Sequence, residues 1–174
     1  MRRLLVLGGA RSGKSRYAQQ RAEAHDGSLA FIATAQAFDD EMAQRIARHR
    51  DDRGVRWQTI ETPLDLPDAI LRSSASADVI VVDCLTLWLS NMLLAGNSVP
   101  DAFDHLAAAV SNCERPLALV ANEVGLGIVP GNALARRFRD DAGRLNQMLA
   151  AEVDEVVFVA AGLPLTLKQD YGLG

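Results

Sequence analysis

The sequence predicts a layered α/β fold, a mostly parallel sheet flanked by helices, and three observations predict it. Short apolar runs recur at residues 4–7, 30–33, 79–82, 117–121 and 156–160, helical patterns separate most of them, and a glycine-rich turn follows the first run directly. Continuous apolar runs bounded by turn signals read as strands buried on both faces, which is the mark of parallel pairing. At 174 residues the chain has the size of one ordinary domain, so 1–174 is read as a single domain.

Taken in order, the run 4–7 feeds a glycine loop and then a helix at 15–24. The run 30–33 leads into an amphipathic pattern at 39–51, with Asp39 as N-cap and Met42, Ala43 and Ile46 on its apolar face. A shorter extended piece, 57–60, precedes a helix at 64–72. The strand 79–82 is followed by helices at 85–94 and 101–112, the second capped by Asp101, and the strand 117–121 by a long helix at 132–152 capped by Asn132. Residues 73–77 and 96–100 read as surface connections. The tail 162–174 reads either as a final strand or as the cover of a subunit contact.

Composition narrows the function. A hydrophobic content of 49% with 18 Lys+Arg against 22 Asp+Glu leaves no general basic field for nucleic acid and points to small-molecule partners. Met1-Arg2-Arg3 ahead of an apolar run imitates the start of a secretory signal. The run stops after four residues, so neither a signal peptide nor a membrane span is expected. Cys84 and Cys113 lie in or beside apolar segments without zinc-type or CxxC spacing, so they read as buried free thiols in a reducing cytoplasm.

The loop itself carries the chemistry. Gly8-Gly9-Ala10-Arg11-Ser12-Gly13-Lys14-Ser15 matches GxxxxGK[ST] between a strand and a helix, the pattern that cradles the phosphates of a nucleoside triphosphate. Glycines let backbone N–H groups close on phosphate oxygens and the helix N-terminus adds a positive dipole, while Lys14 reaches the β/γ-phosphates and Ser15 holds Mg²⁺. Lys14 is one of only two lysines among the 18 cations, so a lysine-rich composition does not account for it.

In an open parallel sheet, ligands gather beyond the carboxyl ends of the strands, where Thr34, Glu61, Asp83 and Glu123 fall. Asp83 has the position of a carboxylate that holds Mg²⁺ in phosphate-loop enzymes, and equally that of a cap for the next helix. Glu123 offers a second carboxylate or is an ordinary loop acid. In the segment 39–53, Arg45, His49 and Arg53 recur at four-residue spacing, with Arg48 and Arg50 beside the histidine. Neighbouring cations favour a neutral, nucleophilic imidazole, and the arginines suit a triphosphate. The competing reading is a solvated helix face. Arg136 with Asp140, or Arg137 with Asp141, read as i,i+4 ion pairs, with a phosphate-facing role as the alternative.

With these residues assembled, the chain resembles the bifunctional adenosylcobinamide kinase/adenosylcobinamide-phosphate guanylyltransferase family of cobalamin biosynthesis. The likeness rests on GGARSGKS at 8–15, FIATAQAFDDEMAQRIARHR at 31–50, VDCLTLWLSN at 82–91, and NEVGLGIVP at 122–130 followed by ALARRFRDDAGRLNQ. It implies a RecA-like phosphate-loop fold. It also implies phosphorylation of the aminopropanol hydroxyl of adenosylcobinamide by ATP or GTP, then GMP transfer from GTP through a guanylylated histidine, which by motif position is His49. The resemblance further implies nucleotide contacts at Ala33, Thr34, Ala35, Arg50, Asp51, Asp52, Arg53, Glu61 and Asp83, together with a homotrimer. A phosphate-loop small-molecule kinase without a covalent nucleotide step is the alternative; a GTP-binding switch is disfavoured because no NKxD segment occurs.

Overall fold

The computed structural model describes residues 2–36 and 54–170. The helix expected at 39–51, with its cap Asp39, and the candidates His49, Arg50, Asp51, Asp52 and Arg53 lie outside the described residues. Seven strands form one sheet: β1 (Arg3–Gly8), β2 (Leu29–Ala33), β3 (Trp57–Glu61), β4 (Val79–Asp83), β5 (Leu117–Asn122), β6 (Glu155–Ala160) and β7 (Leu163–Gln169). Five helices are described: α1 (Lys14–Glu23), α2 (Leu66–Ser76), α3 (Leu85–Leu94), α4 (Val99–Asn112) and α5 (Ala133–Glu152). The strand order is β3-β2-β4-β5-β1-β6-β7. Every pairing is parallel except that of β6 with β7. The expected α/β class, a mostly parallel sheet between helices, is therefore realised.

The alternation of side chains along each strand divides the core into two layers. Leu5, Leu7, Ile32, Ile80, Val82 and Leu119 face a layer built with α2, α3, α4 and α5. Leu4, Val6, Phe31, Val81, Val120 and Val157 face the other, which contains Ala18 and Ala22 of α1. Both sets are almost fully buried, which is why the strands read as unbroken apolar runs. Each such side chain contributes about 1.5–3 kcal/mol by leaving water. Trp88 is fully buried among the α2–α5 layer and its indole donates to the Leu64 carbonyl at 2.8 Å.

The differences from the sequence reading lie at element ends. Helix α2 runs on to Ser76 because Ser73 and Ala77 turn toward the core, overriding the loop-like composition of 73–77. Helix α4 begins at Val99 behind Ser98, with Pro100 in its first turn, so Asp101 is a first-turn acid and not the cap. Asn132 does cap α5, its Oδ1 accepting from the Ala135 N–H at 2.7 Å. The tail resolves as β7. Its Lys168 ammonium donates to the carbonyls of Ala150, Ala151 and Val153, three acceptors that the end of α5 leaves unsatisfied.

Candidate active site

The loop joining β1 to α1 is built on backbone geometry that glycine permits. Gly13 sits at φ 97° as the N-terminal boundary of α1, and no side chain caps the first-turn amides. Those donors face the place where an anion would satisfy them. A side chain at Gly8 would lie 2.5 Å from the Val159 carbonyl oxygen and 2.6 Å from Ser12 Oγ, so the strand must end on glycine for the loop to fold back over it. Arg11 adopts φ 54° at the exposed tip, followed by Ser12. Ser12 Oγ is buried without a hydrogen-bond partner among the described residues. Lys14 is 8% exposed and its ammonium reaches back to the Gly9 carbonyl at 3.1 Å. Gly9 and Ala10 complete the turn, and Ser15 lies half-buried in the first turn of α1.

Strand register gathers the remaining candidates. Glu61 on β3, Ala33 on β2 and Asp83 on β4 are paired in one row at the carboxyl edge. Asp83 continues the alternation of Val79 and Val81, whose layer holds α1. One strand, β5, separates β4 from β1, and Asp83 pairs with Val120, two residues short of the Asn122–Gly8 pair. Glu61 is exposed, Asp83 half-buried and Thr34 fully buried.

A buried polar network holds this row, and sequence reasoning missed most of it. Thr34 Oγ1 donates to the Cys84 carbonyl at 2.7 Å and accepts from the Cys84 N–H at 3.0 Å, while the Thr34 N–H donates to the Asp83 carbonyl. The Asp83–Cys84 peptide is cis. Asn91 then donates to the carbonyls of both Thr34 and Pro63, at 2.8 and 3.0 Å. Thr86 Oγ1 accepts from the Asn122 N–H at 2.6 Å. Cys84, and not Asp83, caps α3, its sulfur accepting from Leu87 N–H. Burial pushes the Cys84 thiol above its usual value, and the Asp83 charge adds to that effect. The available signal was polar residues recurring at 84, 86 and 91 within an otherwise apolar helix pattern.

The segment after β5 is tied to the loop at one end, where the Glu123 N–H donates to the Gly8 carbonyl at 3.0 Å. Glu123 in turn accepts from the Gly125 N–H. Arg136 secures the other end through the carbonyls of Pro130 and Gly131, so it does not pair with Asp140. Arg137 does pair with Asp141 at 3.5 Å, as spacing predicts, and Arg144 joins the same carboxylate at 3.0 Å. Among the described residues no cluster of three or more His, Cys, Asp or Glu side chains is arranged to hold a metal. No described helix is long and apolar enough to cross a membrane.

Residues 4–167 match the model of the cobinamide kinase / cobinamide phosphate guanyltransferase family. The chain belongs to that family. It is a bifunctional kinase and guanylyltransferase of cobalamin biosynthesis, and its substrates are a cobinamide and a nucleoside triphosphate. It is 49% identical to the bifunctional adenosylcobalamin biosynthesis protein CobP of Pseudomonas aeruginosa, over 94% of this chain and 96% of that protein. It is 44% identical to the protein CobU of the same description from Salmonella typhimurium, over 95% and 99% of the two chains. The corresponding Escherichia coli protein is 42% identical over 95% and 99%.

Proposed function

We propose that the two reactions of this family run on one domain, 1–174, around the loop from Gly8 to Ser15, with adenosylcobinamide and its phosphate as acceptors. In the kinase step the acceptor hydroxyl oxygen attacks the γ-phosphorus of ATP or GTP. The γ-P–O bond to the nucleoside diphosphate breaks and the hydroxyl proton is lost. Lys14 and the amides of Gly8, Gly9, Ala10, Arg11, Ser12 and Gly13 hold the phosphates and stabilise the charge that spreads over them. In the second reaction a ring nitrogen of His49 attacks the α-phosphorus of GTP and pyrophosphate leaves. A phosphate oxygen of adenosylcobinamide phosphate then attacks the same phosphorus and frees the histidine.

The observation that carries this reading is the fold-back of Lys14 over a glycine loop whose first-turn amides no side chain caps. The orphaned Ser12 hydroxyl beside them adds one more polar atom awaiting a partner. Ser15 and Asp83 supply hard oxygen donors, the kind Mg²⁺ takes alongside substrate phosphates. Bound there, Mg²⁺ would neutralise phosphate charge. Ala33, Thr34 and Ala35 with Glu61 form the guanine side of the site, and Arg50, Asp51, Asp52 and Arg53, which follow His49 in the sequence, contribute further contacts to the guanine nucleotide. Exposed Leu163, Leu165 and Leu167 on edge strand β7 support a homotrimer in which a second subunit covers them. Buried, unbridged Cys84 and Cys113 support a cytoplasmic setting.

The test is to incubate the protein and its His49→Ala variant with Mg²⁺ and GTP labelled at the α- or the γ-phosphate, then denature and count bound label. Acid-labile, alkali-stable label from α-labelled GTP alone, absent in the variant, is the expected result. Wild-type protein that binds GTP yet carries no label would leave a kinase without a covalent step.

A further inference from the structure

We propose that Arg16, which neither the loop motif nor the strand-end candidates include, is a further phosphate-binding cation of this site, carried on a platform formed by the β6–β7 hairpin. The inference rests on the phosphate-loop reading above. Arg16 is exposed in the first turn of α1. A cation at a helix N-terminus opposes the helix dipole, and the first turn of α1 contains no acidic residue to offset it. Many of the other described arginines are engaged: Arg3 and Arg21 pair with Asp154 and Glu155, Arg56 and Arg136 hold backbone carbonyls, and Arg137 and Arg144 pair with Asp141. Arg16 has no hydrogen-bond or ion-pair partner among the described residues. A guanidinium placed against the local dipole and left unpaired is suited to an anionic ligand, above all a phosphoryl group that it can bind through two parallel N–H donors.

The hairpin explains where the side chain lies. Register pairs Ala160 with Leu163, so the turn consists of Ala161 and Gly162 alone, at φ 52° and 80°. This two-residue turn with both φ values positive matches the twist of the strands it joins. It brings the Gly162 N–H onto the Ser12 carbonyl at 2.8 Å. A Cβ built on Gly13 would stand 3.3 Å from the Gly162 Cα, so turn and loop approach closely through two residues without side chains. The Arg16 guanidinium extends over that bare surface, with Nη2 3.6 Å from a Cβ built on Gly162 and 3.9 Å from one on Gly13. The C-terminal hairpin thus fixes the loop carbonyl and supports a cation beside Gly13, the residue immediately before Lys14.

The ligand chemistry is a phosphoryl oxygen, supplied either by the nucleoside triphosphate or by the phosphate of the acceptor, and the experiment separates the two. Equilibrium binding of Mg–GTP and the KM for adenosylcobinamide phosphate in guanylyl transfer are measured for wild type, Arg16→Gln and Arg16→Lys, alongside thermal unfolding. Arg16→Gln should weaken one of the two by about tenfold or more, with Arg16→Lys recovering part and the melting temperature little changed for an exposed side chain. A loss confined to GTP assigns the contact to the nucleotide, and a loss confined to the acceptor assigns it to the acceptor phosphate. Unaltered values for both would overturn the proposal. GTP binding by the wild type, abolished in a Lys14→Ala control, shows separately that the phosphate-loop reading stands. Gly162→Ala, strained at its φ of 80°, should weaken the same ligand in the wild-type background and add little to Arg16→Gln. Additive losses would refute the platform.

Discussion

The guanidinium of Arg21 grips the carboxylate of Glu155 through two hydrogen bonds of 2.8 and 2.7 Å, tying the helix that follows the phosphate loop to strand β6. Arg21 also donates to the Tyr17 hydroxyl at 2.8 Å and lies 5.7 Å from its ring centroid. The bond to Arg21 holds the Glu155 carboxyl below its ordinary 4.5, against the opposing effect of burial. The partner Arg21 is raised by the same hydrogen bond. Because the folded pKa is the lower one, the pair stabilises the fold fully above about pH 4.5, and that contribution disappears as pH falls through the depressed value. Glu155→Gln should cost about 1–2 kcal/mol at pH 7 for this partly exposed pair. It should also flatten the fall of stability below pH 4.5, as measured by urea unfolding at several pH values. An unchanged acid slope would show that the pair does not contribute.

Asn91 should prove a positioning residue. Replacing it with Ala leaves the Thr34 and Pro63 carbonyls without their buried donor, at a cost of about 1–3 kcal/mol. Thr34→Val keeps the shape but strands both polar groups of Cys84, with a cost of similar size. Chemical denaturation measures both. In each variant still folded at assay temperature, the KM for GTP should rise more than the unfolding free energy alone explains, because the row of Glu61, Ala33 and Asp83 loosens.

Lys14→Ala should reduce kcat/KM of both reactions roughly a hundredfold or more, the scale seen when a single donor to developing charge is removed. Its effect on stability should be small, since the ammonium makes one hydrogen bond to a loop carbonyl and alanine is well tolerated in a first helical turn. Steady-state kinetics with unfolding of the same samples distinguish this from global damage.

Neither thiol should react rapidly in the native protein. Cys84 and Cys113 are 5% and 7% exposed, and burial pushes the Cys84 thiol up, so the reactive thiolate is scarce at neutral pH. A thiol reagent should label both at the rate of unfolding. Fast stoichiometric labelling of Cys84 at pH 7 would contradict its position behind Leu87 and Thr34.

The two lysines illustrate what could be read from the chain. Lys14 was legible because its role depends on a contiguous spacing, GxxxxGK[ST], in which strand, loop and helix are consecutive in sequence. Lys168 was not, because the carbonyls it caps belong to α5, 15–18 residues earlier, and only the antiparallel return of β7 brings them together. Asn132 was legible as a cap for the same local reason, whereas Asp101 lost that place to Ser98 because the helix begins at Val99 with Pro100 in its first turn.

The sequence by itself determined the α/β class, five buried parallel strand positions and a sixth extended piece, the phosphate loop and the family, since each depends on local periodicity or on short contiguous motifs. Tertiary structure alone decided the strand order, the common row of Glu61, Ala33 and Asp83, the bracing of that row by Thr34 and Asn91, and the seating of Gly162 against Ser12. These relationships join residues up to 150 positions apart, and they are set by side-chain packing and hydrogen-bond satisfaction between elements, which no local pattern encodes.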